Sequence, residues 1–413
     1  MTATHTTPDK TTLTFVDPPE PEGAIPPQLG AVDHHVSIVT SNDPFFFAEA
    51  TGDVQVSIDD ELALEFSDHR PGQLGSLLAS TPMDGLTTVF VNEGVMDTSD
   101  FEALHEARIS TLRLGVNQTS RRTTEGTLEL PQASDLSVLP WLYNLEVRGV
   151  DFTGDHLRNL GSGWNLRSLS LDGVTASPAA LRFFGYLEEL HVNGDETFGH
   201  DFVFLDQLSR LDALGIRFSG LTQAGLPEII RRVHLSMVDI AYNKGIGPDL
   251  SALGDNEPMM YLDVSGTGAD ETTIATLTRN RELSILLMQR TDVNDRGLEA
   301  LRDLPQITHL NLAGTKITDV GLRTIVEALP ELRTLDIRAT DVTVEGAKVL
   351  SNLEHMWRLG LSDPLLTVDF TKHMRDEGSV TELIVGVGLF EMTDEQTEAF
   401  CEIECGSFPG RPG

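Results

Sequence analysis

The chain has 413 residues, 40% hydrophobic and 23% charged, with 64 acidic against 29 basic side chains and a net charge of −35 at pH 7. That is apolar material enough for a continuous core, while a charge of this sign repels nucleic-acid backbones and anionic membrane surfaces, so neither is expected as a partner. No apolar run reaches the ~18 residues a membrane span needs, and no basic start leads into an apolar core near the N-terminus. Neither a transmembrane segment nor a secretory signal is therefore expected. The two cysteines, Cys401 and Cys405, make no disulfide framework, which fits a reducing cytoplasm. Five lysines against 24 arginines fit a salty or high-GC bacterial one.

In chain order, residues 1–30 are rich in Thr and Pro without periodicity and read as a flexible tail. Residues 31–60 read as an N-terminal cap. His35–Thr40 and Asp53–Ile58 alternate like strands, and Phe45, Phe46 and Phe47 between them can plug an open core or hook a partner. The acidity is uneven: Thr11–Ala107 holds 18 acidic residues and one basic one, Arg70, a net of −17. This quarter either keeps the chain soluble or docks on a basic partner.

Repeats begin with the strand pairs Leu64/Phe66, Val89/Val91 and Leu112/Leu114. The step from Leu112 to Leu145 is 33 residues and carries an insertion around 117–135 with the adjacent pair Arg121 and Arg122. From Leu145 the register runs through Leu169, Leu190, Leu214, Val238, Leu262, Leu286, Leu310, Leu335, Leu359 and Leu383. Each step is 24 or 25 residues except the 21 from Leu169 to Leu190, which contains Pro178. A period of this length marks a stack of strand–turn–helix units, each of which buries its apolar side only against its neighbours. Residues 61–386 are expected to form the array, 387–405 a closing helix, and 406–413 a loose tail.

The repeat is clearest in LSILLMQRTDVNDRGLEAL, ITHLNLAGTKITDVGLRTI and LRTLDIRATDVTVEGAKVL, within residues 283–350. Alternation puts Leu310 and Leu312 on one side of a short strand and His309, Asn311 and Ala313 on the other. Thr267, Thr291, Thr315 and Thr340 share one frame position, where their hydroxyls can bond the turn leaving the strand. Thr318 and Asp319 are candidate N-caps for a helix with Leu322, Ile325, Val326 and Leu329 on its apolar side.

These copies resemble the leucine-rich repeat family, and the T-x-I-T-D-x-G-L phrase is similar to its cysteine-containing subclass, with Thr in place of Cys. The resemblance covers about 61–400. It implies an α/β solenoid, a horseshoe with parallel strands on the concave face and helices on the convex face. It also implies protein–protein recognition by the concave face without catalysis or cofactor, and carries over no named functional residue.

Side chains between the leucines would be displayed on that face. The candidate partner-binding set is Arg217, Asp239, Tyr261, Asp263, Ile285, Leu287, Gln289, Asn311, Asp336, Arg338 and Arg358. Within it Tyr261, Ile285 and Leu287 form an apolar island beside Asp239 and Asp263, which is how a contact centre rimmed by charge looks; Ile285 and Leu287 are also ordinary strand formers. Catalytic motifs are absent: there is no G-x-S-x-G, H-E-x-x-H or phosphate-binding glycine loop. His34–His35 reads as a surface pair, and Cys401 and Cys405 as small buried residues rather than metal ligands. The expected function is a non-enzymatic scaffold or adaptor for a protein partner. The alternative is an acidic inhibitor or immunity-type protein that neutralises a basic enzyme.

Overall fold

The computed structural model describes residues 10–15, 36–40, 47–49, 52–57 and, with short intervals left out, 62–386; the longest of these intervals is 116–127. Phe45, Phe46, Arg121, Arg122, the closing helix expected at 387–405 and the tail 406–413 lie outside the described residues. The chain divides into two compact units, 1–187 and 188–413.

In the first unit, Leu62–Phe66, Leu86–Val91, Thr111–Leu114, Asn144–Arg148 and Ser168–Asp172 pair in parallel in that order. Leu64, Val89, Leu112, Leu145 and Leu169 fall in register, so the 33-residue step leaves the ladder intact. Val36–Thr40 lies antiparallel against Leu62–Phe66, and Phe47–Glu49 antiparallel against Val36–Thr40. Within residues 1–30, expected as a flexible tail, Lys10–Phe15 is a strand antiparallel to Gly52–Ser57. Its Thr11, Thr12, Leu13, Thr14 and Phe15 are good strand formers, and that local preference decides where periodicity is missing.

In the second unit, nine strands from Glu189–Asn193 to Glu382–Gly386 are parallel and in register, Leu190 to Leu214 and onward to Leu383. The inward residues Leu214, Val238, Leu262, Leu286, Leu310, Leu335 and Leu359 are buried, and Leu298, Leu301, Leu322, Ile325, Ala347 and Leu350 close over them from the helical side. Each unit is thus α/β, built from stacked strand–turn–helix repeats.

Helix type follows repeat length. The 25-residue step from Leu310 to Leu335 carries an α-helix of 10 residues, Asp319–Ala328. The neighbouring 24-residue steps carry four α-helical residues followed by five in a 3₁₀-helix, Asp295–Leu298 with Glu299–Asp303 and Val344–Ala347 with Lys348–Asn352. At roughly 1.5 Å rise per α residue and 2.0 Å per 3₁₀ residue, the two arrangements span about 15 and 16 Å. Losing one residue is met by stretching the helix, and the stack stays in step.

The T-D-x-G phrase is an interlock between repeats. Asn294, Thr318 and Thr343 are N-caps, each accepting from backbone amides of its own first turn. The acid that follows a cap reaches forward to the next one. Asp295 Oδ1 accepts from Thr318 N at 2.8 Å and its Oδ2 from Thr318 Oγ1 at 2.6 Å. Asp319 does the same to Thr343, at 2.8 and 2.7 Å. Glu271 accepts from Asn294 Nδ2 at 2.9 Å. A side chain at Gly321 or Gly346 would overlap the Asp295 or Asp319 carboxylate, so the glycine three residues after the cap makes room for it. Asp319 is therefore not a second cap for its own helix, as its sequence position suggested, but part of the following repeat's cap. Asp319→Ala is expected to lower unfolding free energy by about 1–2 kcal/mol, since it strips the Thr343 cap of two charge-assisted bonds. Urea unfolding checks this, and a change within error would leave the interlock without energetic weight.

The threonine ladder also forms. Thr267, Thr291, Thr315 and Thr340 Oγ1 each donate to the carbonyl three residues back, at 2.6 or 2.7 Å. One step earlier the frame position holds Asn243, which makes more bonds than a hydroxyl can. Just before it, each of the six strands from Ala213–Gly215 to Thr334–Asp336 leaves through a left-handed residue. Gly266 and Gly314 serve in two repeats, but Phe218, Tyr242, Arg290 and Ala339 hold φ between 49 and 58° in the others.

Candidate functional site

In the second unit the residues that alternate with the buried leucines form three columns across the strands. The first contains Tyr261, Ile285, His309, Thr334 and Arg358, and the second Asp239, Asp263, Leu287, Asn311, Asp336 and Gly360. The third, two residues beyond the second, contains Arg217, Ala241, Ser265, Gln289, Ala313, Arg338 and Ser362.

The second column has a structural task. Asp239, Asp263, Asn311 and Asp336 each accept, through Oδ1, the backbone N–H two residues on, at 2.9 to 3.1 Å. Such a bond tightens the turn as the chain leaves the strand and explains why Asp and Asn recur there. Leu287 holds the same position and can accept nothing.

Arg217 ties two of these acids together. Its Nε faces Asp239 Oδ2, and its Nη2 lies 2.5 Å from Asp263 Oδ2. All three side chains are buried. Burial pushes the Asp239 carboxyl up to about 7, because the charged form loses its water; Arg217 pulls it back down and the Asp263 charge raises it again. Further along, Arg338 forks Asp336 with Nε at 3.0 Å from both oxygens and Nη2 at 2.6 Å. Most of the acidity expected on this face is therefore neutralised within it.

Beside the triad, the rings of Phe218 and Tyr242 stack at 4.6 Å and 6°, and the Tyr242 ring covers Gly266, where any side chain would strike it. Gln289 Nε2 donates to the Tyr242 hydroxyl at 3.2 Å. Bulky residues in left-handed backbone cost free energy, so a close aromatic pair held that way is fixed in place by its packing.

Of the eleven sequence-predicted residues, Arg217, Asp239, Tyr261, Asp263, Gln289 and Arg338 are buried, Ile285, Leu287, Asn311 and Asp336 half-buried, and Arg358 exposed. Ile285 and Leu287 stand side by side on one strand, next to Tyr261 and His309 and to Asp263 and Asn311 respectively. Burial holds the His309 imidazole below its usual pKa, helped by Arg333 and Arg358, so its ring is neutral at pH 7. The sequence reading missed Phe218, Tyr242 and Asn243. Their signal was available as large or amide side chains at the frame positions where neighbouring repeats place Gly and Thr. Among the described residues no group of three or more His, Cys, Asp or Glu side chains could hold a metal ion. No described helix is long and apolar enough to cross a membrane.

No curated protein sequence matches this chain. Among solved structures, an internalin (inlF) of Listeria monocytogenes aligns at 18% identity over 70% of this chain and 83% of that one, with a TM-score of 0.45. TLR13 in complex with ssRNA13 aligns at 16% identity over 75% of this chain and 51% of that one, with a TM-score of 0.48. The chain thus spans about half the length of the TLR13 chain. Residues 305–326 match the family model described as Leucine Rich repeat, an interval that holds the strand His309–Asn311, Thr315 and the interlocking Thr318–Asp319.

Proposed function

We propose that this chain is a non-enzymatic, cytoplasmic interaction scaffold that holds a protein partner on the strand face of residues 188–413, centred on Ile285 and Leu287. One observation carries the reading. Leu287 occupies the column where Asp239, Asp263, Asn311 and Asp336 each make a turn-closing bond, and it gives that bond up for an apolar side chain turned away from the core. With Ile285 beside it, the strand presents two half-buried aliphatic side chains that the leucine ladder does not need. Around them lie polar groups whose charges are already paired, the usual surround of a desolvated contact centre. The Thr ladder and the T-D-x-G interlock support assigning the repeats to the cysteine-containing type with Thr in place of Cys.

The test is capture from the native host's lysate with immobilised full-length chain, comparing wild type with Ile285→Asp/Leu287→Asp. Both positions are half-buried on the outward side, so the fold should survive while recovery of the bound protein falls at least about tenfold. Recovery that the double variant leaves intact defeats the reading. Salt separates it from the acidic-inhibitor alternative: an aliphatic contact persists at about 0.5 M NaCl, whereas a basic enzyme held by the acidic quarter is released.

A further inference from the structure

The first unit carries a different surface, on the turns through which the chain enters its strands. Tyr143 N donates to Ser110 O at 2.7 Å and Arg167 N to Tyr143 O at 2.8 Å, so three successive entry turns are tied in a row. The Arg108 guanidinium lies 5.1 Å from the Trp141 ring centre, and that of Arg167 5.3 Å from Tyr186. Cation and ring alternate along this edge. Trp141 and Tyr143 are 47% and 50% exposed, so about half of each large side chain meets solvent. Rings of this size are normally drawn into a core or an interface.

Two further observations set the edge apart. Arg108 follows the helix Thr98–Glu106 and its cap Ala107 with φ of +57°, the left-handed position that usually takes glycine. A long cationic side chain is kept there against backbone strain. In a chain with 64 acidic and 29 basic residues, Arg108 has no carboxylate partner among the described residues.

We propose that this edge binds an extended acidic protein segment, with a carboxylate on the guanidinium group of Arg108 and apolar or aromatic side chains on the exposed halves of Trp141 and Tyr143. At physiological salt the screening length is about 8 Å, so the chain's distant negative charge is damped while the local cations are felt. A continuous run of phosphates would face more of that repulsion than spaced carboxylates do, which favours a peptide over single-stranded RNA.

The experiment uses the full chain and a fluorescein-labelled peptide of alternating Glu and Tyr, read by anisotropy at about 0.15 M NaCl. Trp141→Ala/Tyr143→Ala and, separately, Arg108→Gly should each weaken binding about tenfold. Arg108→Gly should at the same time raise the melting temperature, because glycine relieves the left-handed strain; a purely structural arginine would not separate the two readouts. Ile285→Asp/Leu287→Asp should leave peptide binding unchanged, so this edge and the strand face stand or fall separately. No wild-type binding, equal binding by the edge variants, or tighter binding of labelled oligouridylate than of the peptide each overturns the assignment.

Discussion

Arg217→Met is expected to lower unfolding free energy by about 3–5 kcal/mol at about pH 8, and the deficit to shrink as the pH falls toward 5. The size follows from what is left behind. Arg217, Asp239 and Asp263 are all buried, and the guanidinium is placed to neutralise both acids at once. Methionine fills similar volume but leaves two carboxylates sharing one dry site, which is far costlier than replacing the whole triad by apolar groups. The pH dependence follows from Asp239. Its folded pKa, about 7, lies above the ordinary ~3.9, so the folded chain binds a proton the unfolded chain does not across that window. Its contribution to stability is full below about pH 4 and is lost as the pH rises through 7. Without Arg217 the downward pull on Asp239 disappears, so the loss grows at high pH while the protonated form at pH 5 is spared. Urea unfolding of both proteins between about pH 5 and 8 measures this, with Arg217→Met/Asp239→Asn as the control that flattens the difference. A deficit that does not change with pH would show that the triad's charge is not what Arg217 stabilises.

The same triad shows what could be read from sequence. Spacing alone placed Leu214, Val238, Leu262 and Leu286 in one buried ladder, because a strand's period of two and a fixed repeat length leave no other in-register solution. Alternation also placed Arg217, Asp239, Tyr261 and Asp263 on the outward side. It could not say that they would be covered, because that depends on side chains folding onto one another across repeats, as Arg217 does over two strands to reach Asp263. The Asp and Asn residues of the second column looked like a displayed charge pattern and turned out to close turns. That role makes Leu287 more informative than it was in the sequence, where it was one aliphatic residue among many. The interlock was visible as the phrase T-D-x-G, but its meaning was not: the Asp acts on a cap 24 residues away, as Asp319 does on Thr343.

Asn243→Ala is expected to cost about 3–5 kcal/mol, more than any single threonine of the ladder. Asn243 is buried, and its Oδ1 accepts from Ser219 N at 3.1 Å and Leu221 N at 3.0 Å, both in the preceding repeat. Its Nδ2 donates to Ile216 O at 2.6 Å, Ile240 O at 3.0 Å and Ala241 O at 3.3 Å. One amide thus serves two repeats, whereas the Thr267 hydroxyl at the same frame position donates to Val264 O within its own repeat. Alanine strips partners from two buried amides and from several carbonyls, at about 1–3 kcal/mol for each group left unmatched and with partial relaxation between them. Asn243→Thr should restore only the bond a threonine makes elsewhere in the ladder, to Ile240 O, and leave Ser219 N and Leu221 N unserved. Its stability should therefore fall between wild type and Asn243→Ala, and hydrogen exchange at the Ser219 and Leu221 amides should quicken in both variants. If Asn243→Thr matched wild type in urea unfolding and in exchange at those two amides, the bonds between repeats would carry no weight, and the seam at Asn243 would be held by its leucines alone.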